Sequence, residues 1–291
     1  MRVALAGKGG AGKTTIAATI ARLAGGLGFP VVAIDADSNP NLATALGIAP
    51  ERAAQVPYLP GTLVSRRLGG PSLTEPIDAV LDRYAVAGPD GVRLALMGMP
   101  AHADEGCLCS AHATVSAVLS DLGSRPETVT VVDMEASPEH LSRGTARHVD
   151  VLLLVAEPYY RSLETTRRLA QLAGELPISQ VAVVANKLRS ASDADAVEEF
   201  CARHRLDVVA QLPWSEAVVD ADRHRVPLVQ RADGEVVAAI SGLVGRLLRL
   251  TASPYGSGGS LPRTGAGLRP AARPGLLRGA DVYAHSRSRD W

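Results

Sequence analysis

Seven short apolar runs punctuate the chain, at residues 3–6, 31–34, 93–97, 129–133, 151–155, 181–185 and 208–212. Several are apolar at consecutive positions without alternation, the pattern of strands buried on both faces of a parallel sheet. Between them lie stretches with helical spacing, at about 13–28, 111–123, 162–175, 193–205, 216–224 and 234–250. This alternation predicts an α/β chain: a doubly wound, mainly parallel sheet of about seven strands flanked by helices. In such a sheet the chemistry sits at the carboxyl ends of the strands. Residues 51–91 are less regular and read as a peripheral excursion. The chain has no internal repeat.

Composition adds a little. Hydrophobic residues make up 46% of 291 positions, enough for a full core, and aromatics only 3%, so Ala, Val and Leu must fill it. Lys and Arg together balance Asp and Glu, and that zero net charge argues against a nucleic-acid partner. The balance is not uniform. Residues 251–291 hold six Arg and two acids, leaving the remainder at −4. They are also rich in Gly, Pro and Ser, so they read as a disordered tail behind a single domain at 1–250. Three cysteines do not make a disulfide framework, which points to a reducing cytoplasm. The first strand starts at once, leaving no room for a signal peptide. No uncharged apolar run approaches the ~20 residues of a membrane span.

The first strand runs into Gly7-Lys8-Gly9-Gly10-Ala11-Gly12-Lys13-Thr14-Thr15. This fits G-x-x-x-x-G-K-[ST] between a strand and a helix, the context a phosphate-binding P-loop requires. Backbone amides of Gly9, Gly10, Ala11, Gly12, Lys13, Thr14 and Thr15 are candidates to line the phosphates, helped by the helix N-terminus. Lys13 should reach the β- and γ-phosphates of a nucleotide, and the Thr14 hydroxyl should ligate Mg²⁺.

Lysine occurs only three times, at 8, 13 and 187, against 27 arginines. Arg and Lys are not equivalent where a compact ammonium must fit a tight cradle. Lys8 is an extra that the basic motif leaves free. With it the loop resembles the deviant Walker A class of P-loop ATPases, which includes the nitrogenase iron protein and the septum-placing and chromosome-partitioning ATPases. The resemblance implies that Lys8 crosses a homodimer interface to the partner's ATP.

Two acid-ended strands follow. Ile34-Asp35-Ala36-Asp37-Ser38-Asn39 places carboxylates beside the cradle, where such groups orient attacking water or hold Mg²⁺-bound water. By resemblance this is switch I, with Asp37 orienting water and Asp35 supporting it. Val131-Val132-Asp133-Met134-Glu135 ends the next, and Asp133 fits the Mg²⁺-binding role. Residues 135–144 would then be switch II, the part that senses the γ-phosphate; Glu135 serves either the metal or a salt bridge. By the same resemblance Asn186 and Lys187 hold the base, and backbone near Pro213 completes its pocket. Leu188 and Arg189 depart from the N-K-x-D of guanine readers, so the nucleotide expected is ATP, with ADP as product.

Gly106-Cys107-Leu108-Cys109 offers two thiols. At i and i+2 on extended backbone both point the same way. Two thiolates are half of a tetrahedral soft-metal site, and a two-fold dimer doubles them; His102 and His112 are alternative donors. Cys201, alone in a helical stretch, reads as a small core residue.

Taken together, the chain resembles the nickel-insertion ATPases that mature carbon-monoxide dehydrogenase. The matching segments are the P-loop, I-D-A-D-x-x-x-N-L-A, G-C-x-C-x-x-H-A from Gly106, D-M-E-A-x-x-E-H from Asp133, R-G-T from Arg143, E-P-x-x-R-S-L from Glu157, and A-N-K from Ala185. The match spans about residues 1–250. It implies an ATP-dependent metallochaperone that dimerises with ATP, holds Ni²⁺ or Zn²⁺ between Cys107 and Cys109 of both protomers, and passes metal to a client such as carbon-monoxide dehydrogenase. The alternatives are a spatial-organisation ATPase that binds DNA or membrane, and a reductase carrying an iron–sulfur cluster. The −4 domain opposes DNA, and residues 236–250 read as a closing core helix instead of a membrane anchor.

Overall fold

The computed structural model describes residues 1–67, 70–98, 108–231 and 234–252. Among these residues the strands are β1 (Arg2–Gly7), β2 (Val31–Ala36), β3 (Val64–Arg67), β4 (Gly70–Leu73), β5 (Val86–Ala87), β6 (Val92–Leu96), β7 (Val129–Met134), β8 (Val151–Ala156), β9 (Gln180–Leu188) and β10 (Asp207–Pro213). The helices are α1 (Lys13–Gly26), α2 (Leu42–Leu46), α3 (Pro50–Ala53), α4 (Ile77–Tyr84), α5 (Cys109–Leu122), α6 (Glu139–Ser142), α7 (Tyr160–Ala173), α8 (Ala191–Arg203), α9 (Glu216–Arg223) and α10 (Glu235–Ala252).

Eight strands form one sheet in the order β10-β9-β8-β1-β7-β2-β6-β5. Every pairing is parallel except β5 with β6. All seven expected strands are present. The eighth, β5, is a two-residue edge strand within the segment read as irregular, and the antiparallel β3–β4 hairpin lies there too.

Alternate residues of each strand feed opposite faces, as the period-2 geometry requires. Val3 and Leu5 of β1 join Ile16 and Ile20 of α1 and Ile240, Leu243 and Leu247 of α10 in one core. Ala4 and Ala6 join Val115 and Leu119 of α5, Leu163 and Leu169 of α7, and Val197 of α8 in the other. Burial on both faces explains why the strands read as continuous apolar runs. Each fully buried Leu or Ile contributes about 1.5–3 kcal/mol, so the apolar face of α10 is committed to the core. Cys201 of α8 is free and buried there, as its sequence context suggests. No described helix is long and apolar enough to cross a membrane.

One local expectation changes. Cys109 does not sit on extended backbone: it is the first residue of α5. The same-side argument for a C-x-C pair therefore does not apply at this position. Cys107 and His102 lie outside the described residues, as does the tail from 253 on.

Candidate functional site

The central strands β1, β7 and β2 deliver the site. Their register sets Leu5 beside Asp133, and Asp133 beside Asp35. Both acids therefore arrive at the carboxyl edge where β1 passes into the loop before α1. No side chain caps the N-terminus of α1, so its free amides present partial positive charge to an anion. The capping position is Gly12, held at φ 101°.

Lys13 is buried, and its ammonium donates to the Gly7 carbonyl at 3.2 Å. Burial pulls its pKa down, opposed by the charges of Asp133, Asp37 and Glu135. Asp133 is 1% exposed. Burial pushes its carboxyl up to about 7, with the charge of Asp35 adding and a hydrogen bond from Thr14 opposing. Its Oδ1 is buried and has no hydrogen-bond partner. That unsatisfied oxygen and the Thr14 hydroxyl are hard oxygen donors, a set that fits a largely hydrated Mg²⁺.

Asp35 is also buried, its carboxyl raised to about 6 by burial against opposing hydrogen bonds from backbone amides. It accepts from the amides of Asp37 at 3.2 Å and Leu42 at 2.8 Å. These bonds pin the turn that carries Asp37, which is half-buried and accepts from the Asn39 amide at 2.8 Å. Glu135 is raised by burial and by Asp37, with a hydrogen bond from Ser38 opposing.

The segment after β7 reaches back to the end of β2. His140 Nε2 donates to the Ala36 carbonyl at 2.7 Å. Burial lowers its pKa to about 4, and its ring meets that of His112 edge-on at 4.6 Å. His112 Nδ1 is hydrogen-bonded to Thr145 Oγ1 at 3.0 Å, and its Nε2 sits 3.5 Å from Glu139. Arg143 links Glu139, at 3.0 Å, to the sulfur of Cys109, also at 3.0 Å. Cys109 is disulfide-bonded in this structure, so thiolate ligation needs the reduced protein. Among the described residues no three His, Cys, Asp or Glu side chains group as a metal site.

Asn186 and Lys187 lie just before the end of β9 at Leu188, and their hydrogen bonds run to the P-loop backbone. Asn186 Nδ2 donates to the Ala11 carbonyl at 2.7 Å, and Lys187 Nζ to the Gly10 carbonyl at 2.6 Å. Lys187 also pairs with Glu157 at 2.8 Å. Glu157 accepts from the Tyr159 hydroxyl at 2.7 Å, and the Lys8 ammonium lies 5.6 Å from the centre of the Tyr159 ring. Pro213 closes β10, and Arg189 stacks over the neighbouring Trp214 ring at 4.0 Å.

Sequence reasoning missed two parts of the site. Glu157 carries the same signal as Asp35 and Asp133, an acid at the carboxyl end of an apolar strand. A cavity of about 520 Å³ opens beside the start of α1, lined by Thr14, Thr15, Asn41, Thr44, Val218 and Arg225 among others. Its size suits a nucleoside. Nothing in the spacing of residues 218–228 marks them as its wall.

The comparisons agree with this geometry. A family model described as the CobQ/CobB/MinD/ParA nucleotide binding domain matches residues 3–228. The chain is 36% identical over 236 residues to the carbon monoxide dehydrogenase accessory protein CooC of Rhodospirillum rubrum, covering 77% of this chain and 87% of that one. It is 33% identical over 233 residues to an uncharacterized ATP-binding protein of Methanocaldococcus jannaschii, covering 76% and 88%. Among solved structures it resembles the MinD cell division protein of Aquifex aeolicus, with a TM-score of 0.65 at 21% identity over 85% of this chain and 97% of that one. A ParA family ATPase from Chlorobium tepidum gives 0.65 at 19% identity over 84% and 98%. A P-loop strung between β1 and an uncapped α1, with acids delivered by β2 and β7, is the working part of a nucleotide hydrolase, and the chain belongs to the CobQ/CobB/MinD/ParA family of P-loop ATPases, in the group of the carbon monoxide dehydrogenase accessory proteins.

Proposed function

We propose that this ATPase is a metallochaperone for carbon-monoxide dehydrogenase or a similar client. Two protomers close on ATP, with Lys13 on the phosphates of its own subunit and Lys8 on those of the partner. Asp37 orients the attacking water, and Asp35 holds the turn that presents it. Mg²⁺, held through Thr14 and Asp133, would neutralise charge on the phosphates. Closure brings Cys107 and Cys109 of one protomer to the same pair of the other. Four thiolates suit tetrahedral Zn²⁺ or square-planar Ni²⁺ as cargo.

The observation that carries the reading is the contact of Cys109 with Arg143, which lies in the segment read as switch II. A cysteine tied to the nucleotide-sensing segment is what ATP-controlled metal release needs. The similarity to an accessory protein of carbon monoxide dehydrogenase supports the choice of client.

Equilibrium dialysis of the reduced protein against Ni²⁺ and Zn²⁺, with and without ATP, tests it. The expected result is one metal per two chains, lost when Cys107 and Cys109 are both replaced by Ala, with ATP hydrolysis retained. Stoichiometric nickel binding by the double variant would overturn the site assignment.

A further inference from the structure

We propose that Arg22 and Asp90 are positioning residues for ATP hydrolysis, a clamp on the far end of the segment that presents Asp37 to the nucleotide. The inference rests on the reading of Asp37 as the group that orients water, and not on the metal reading.

Residues 37–46 run from the end of β2 through α2, a helix of only five residues. So short a helix barely holds itself together, and its place is set by whatever grips its two ends. At the near end Asp35 accepts from the amides of Asp37 and Leu42. At the far end Arg22 of α1 donates from Nη1 to the Leu46 carbonyl at 2.7 Å. That carbonyl belongs to the last turn, where a helix offers no internal partner. The amides of Gly47 and Ile48 close the same turn on the carbonyls of Thr44 and Ala43.

Arg22 is 7% exposed, and a buried cation is costly unless it is paired. Its partner is Asp90, whose Oδ2 accepts from Nε. A guanidinium is planar and its donors point in fixed directions. Engaging Nε therefore fixes the plane and aims Nη1 at Leu46. Asp90 sits in the turn Pro89–Gly91 with φ 55°, a conformation that persists where its surroundings enforce it. The turn is pressed against α1, since a Cβ on Gly25 would run into the Asp90 carbonyl.

The end of α2 is as closely fitted. Gly47 has φ 85°, and a Cβ there would lie 2.5 Å from Pro227 Cγ and 3.5 Å from Arg22 Nη1. Leu42 and Leu46 are both buried. Arg22 stands seven residues beyond Thr15 on α1, about 10 Å along the axis, so it acts on the chemistry only through α2. A turn in the irregular stretch at 51–91 thereby reaches the carboxyl edge of the sheet.

Steady-state ATP hydrolysis and ADP titration with Mg²⁺ test the clamp, on Arg22→Met, Asp90→Ala and Asp90→Asn, with Asp37→Asn as the reference. Arg22→Met keeps the apolar stem and loses both donors. It should lower kcat by about tenfold, a loss that a small displacement of a catalytic group can bring. KM for ATP and the affinity for ADP should stay within about twofold, because the phosphates are held by the loop before α1. Asp90→Ala should give a smaller loss of kcat alone. Asp90→Asn, whose amide oxygen still accepts from Nε, should recover part of that loss. Unchanged kcat in folded Arg22→Met would overturn the clamp. So would a fall in ADP affinity equal to the fall in kcat, the mark of a domain that has loosened throughout. If Asp37→Asn hydrolyses ATP at the full rate, the reading of Asp37 fails and the clamp falls with it. If Asp37→Asn is inactive and Arg22→Met is not impaired, the clamp alone fails. A thermal melt identifies any variant that does not fold; should Arg22→Met be one, Asp90→Ala, on a partly exposed turn, decides.

Discussion

Replacing Asp133 by Asn should stabilise the protein while stopping its chemistry. The carboxyl is 1% exposed, and its folded pKa stands at about 7 against an ordinary 3.8. The folded state therefore holds this proton more tightly than the unfolded chain does. Between pH 3.8 and about 7 it carries the extra proton, and stability falls as pH rises. A gap of about three units, at about 1.36 kcal/mol each, amounts to about 4 kcal/mol. That deficit is complete above pH 7 and is about 2 kcal/mol at pH 5. Asn keeps the size of the side chain and can still accept from Thr14, but carries no charge. Urea unfolding with EDTA and without nucleotide is the assay. Asp133→Asn should be more stable than the unaltered protein by about 4 kcal/mol at pH 8 and by about half that at pH 5. A variant less stable at pH 8, or a gain independent of pH, would refute the reasoning. Buried charge of this kind is stability given up for function.

Two further outcomes can be measured on the same footing. A Cβ on Gly25 of α1 would lie 2.2 Å from the Asp90 carbonyl, so Gly25→Ala should lower stability by about 1–3 kcal/mol in chemical denaturation, with nucleotide affinity little changed. His140 is held neutral, its pKa lowered to about 4 from 6.5; between these values the unfolded chain binds the extra proton, so stability is full above pH 6.5 and drops by about 3 kcal/mol as pH falls to 4. His140→Gln should flatten that part of the curve, and a pH profile that keeps its slope in the variant would contradict the assignment.

What was legible in the sequence is what short-range physics dictates. The parallel strands are buried on both faces, so each appears as an apolar run whatever its neighbours. The P-loop is set by a local turn between a strand and a helix, and its spacing carries it. Asp35 and Asp133 follow from their position at strand ends. Strand β5 was hidden because two residues hold no period. The β3–β4 hairpin was hidden because Val64–Arg67 and Gly70–Leu73 lack the apolar alternation of a half-buried ribbon. The start of α5 was misjudged by two residues, enough to move Cys109 from a loop to a helix end. The contacts of Asn186 and Lys187 span more than 170 positions. No spacing rule reports contacts over that distance; they follow from the sheet, where the register of β8 beside β9 also brings Glu157 near Lys187.

The hydrogen bond from His140 to the Ala36 carbonyl joins the segment after β7 to the last residue of β2. Two stretches more than a hundred positions apart are thereby hinged together, directly behind the carboxylates. Arg143, three residues on from His140, rests against Cys109. In form the segment is a bell-crank, with one arm fixed at the end of β2 and the other at the sulfur that starts α5. The first arm's attachment is one imidazole, through its 2.7 Å bond to the Ala36 carbonyl.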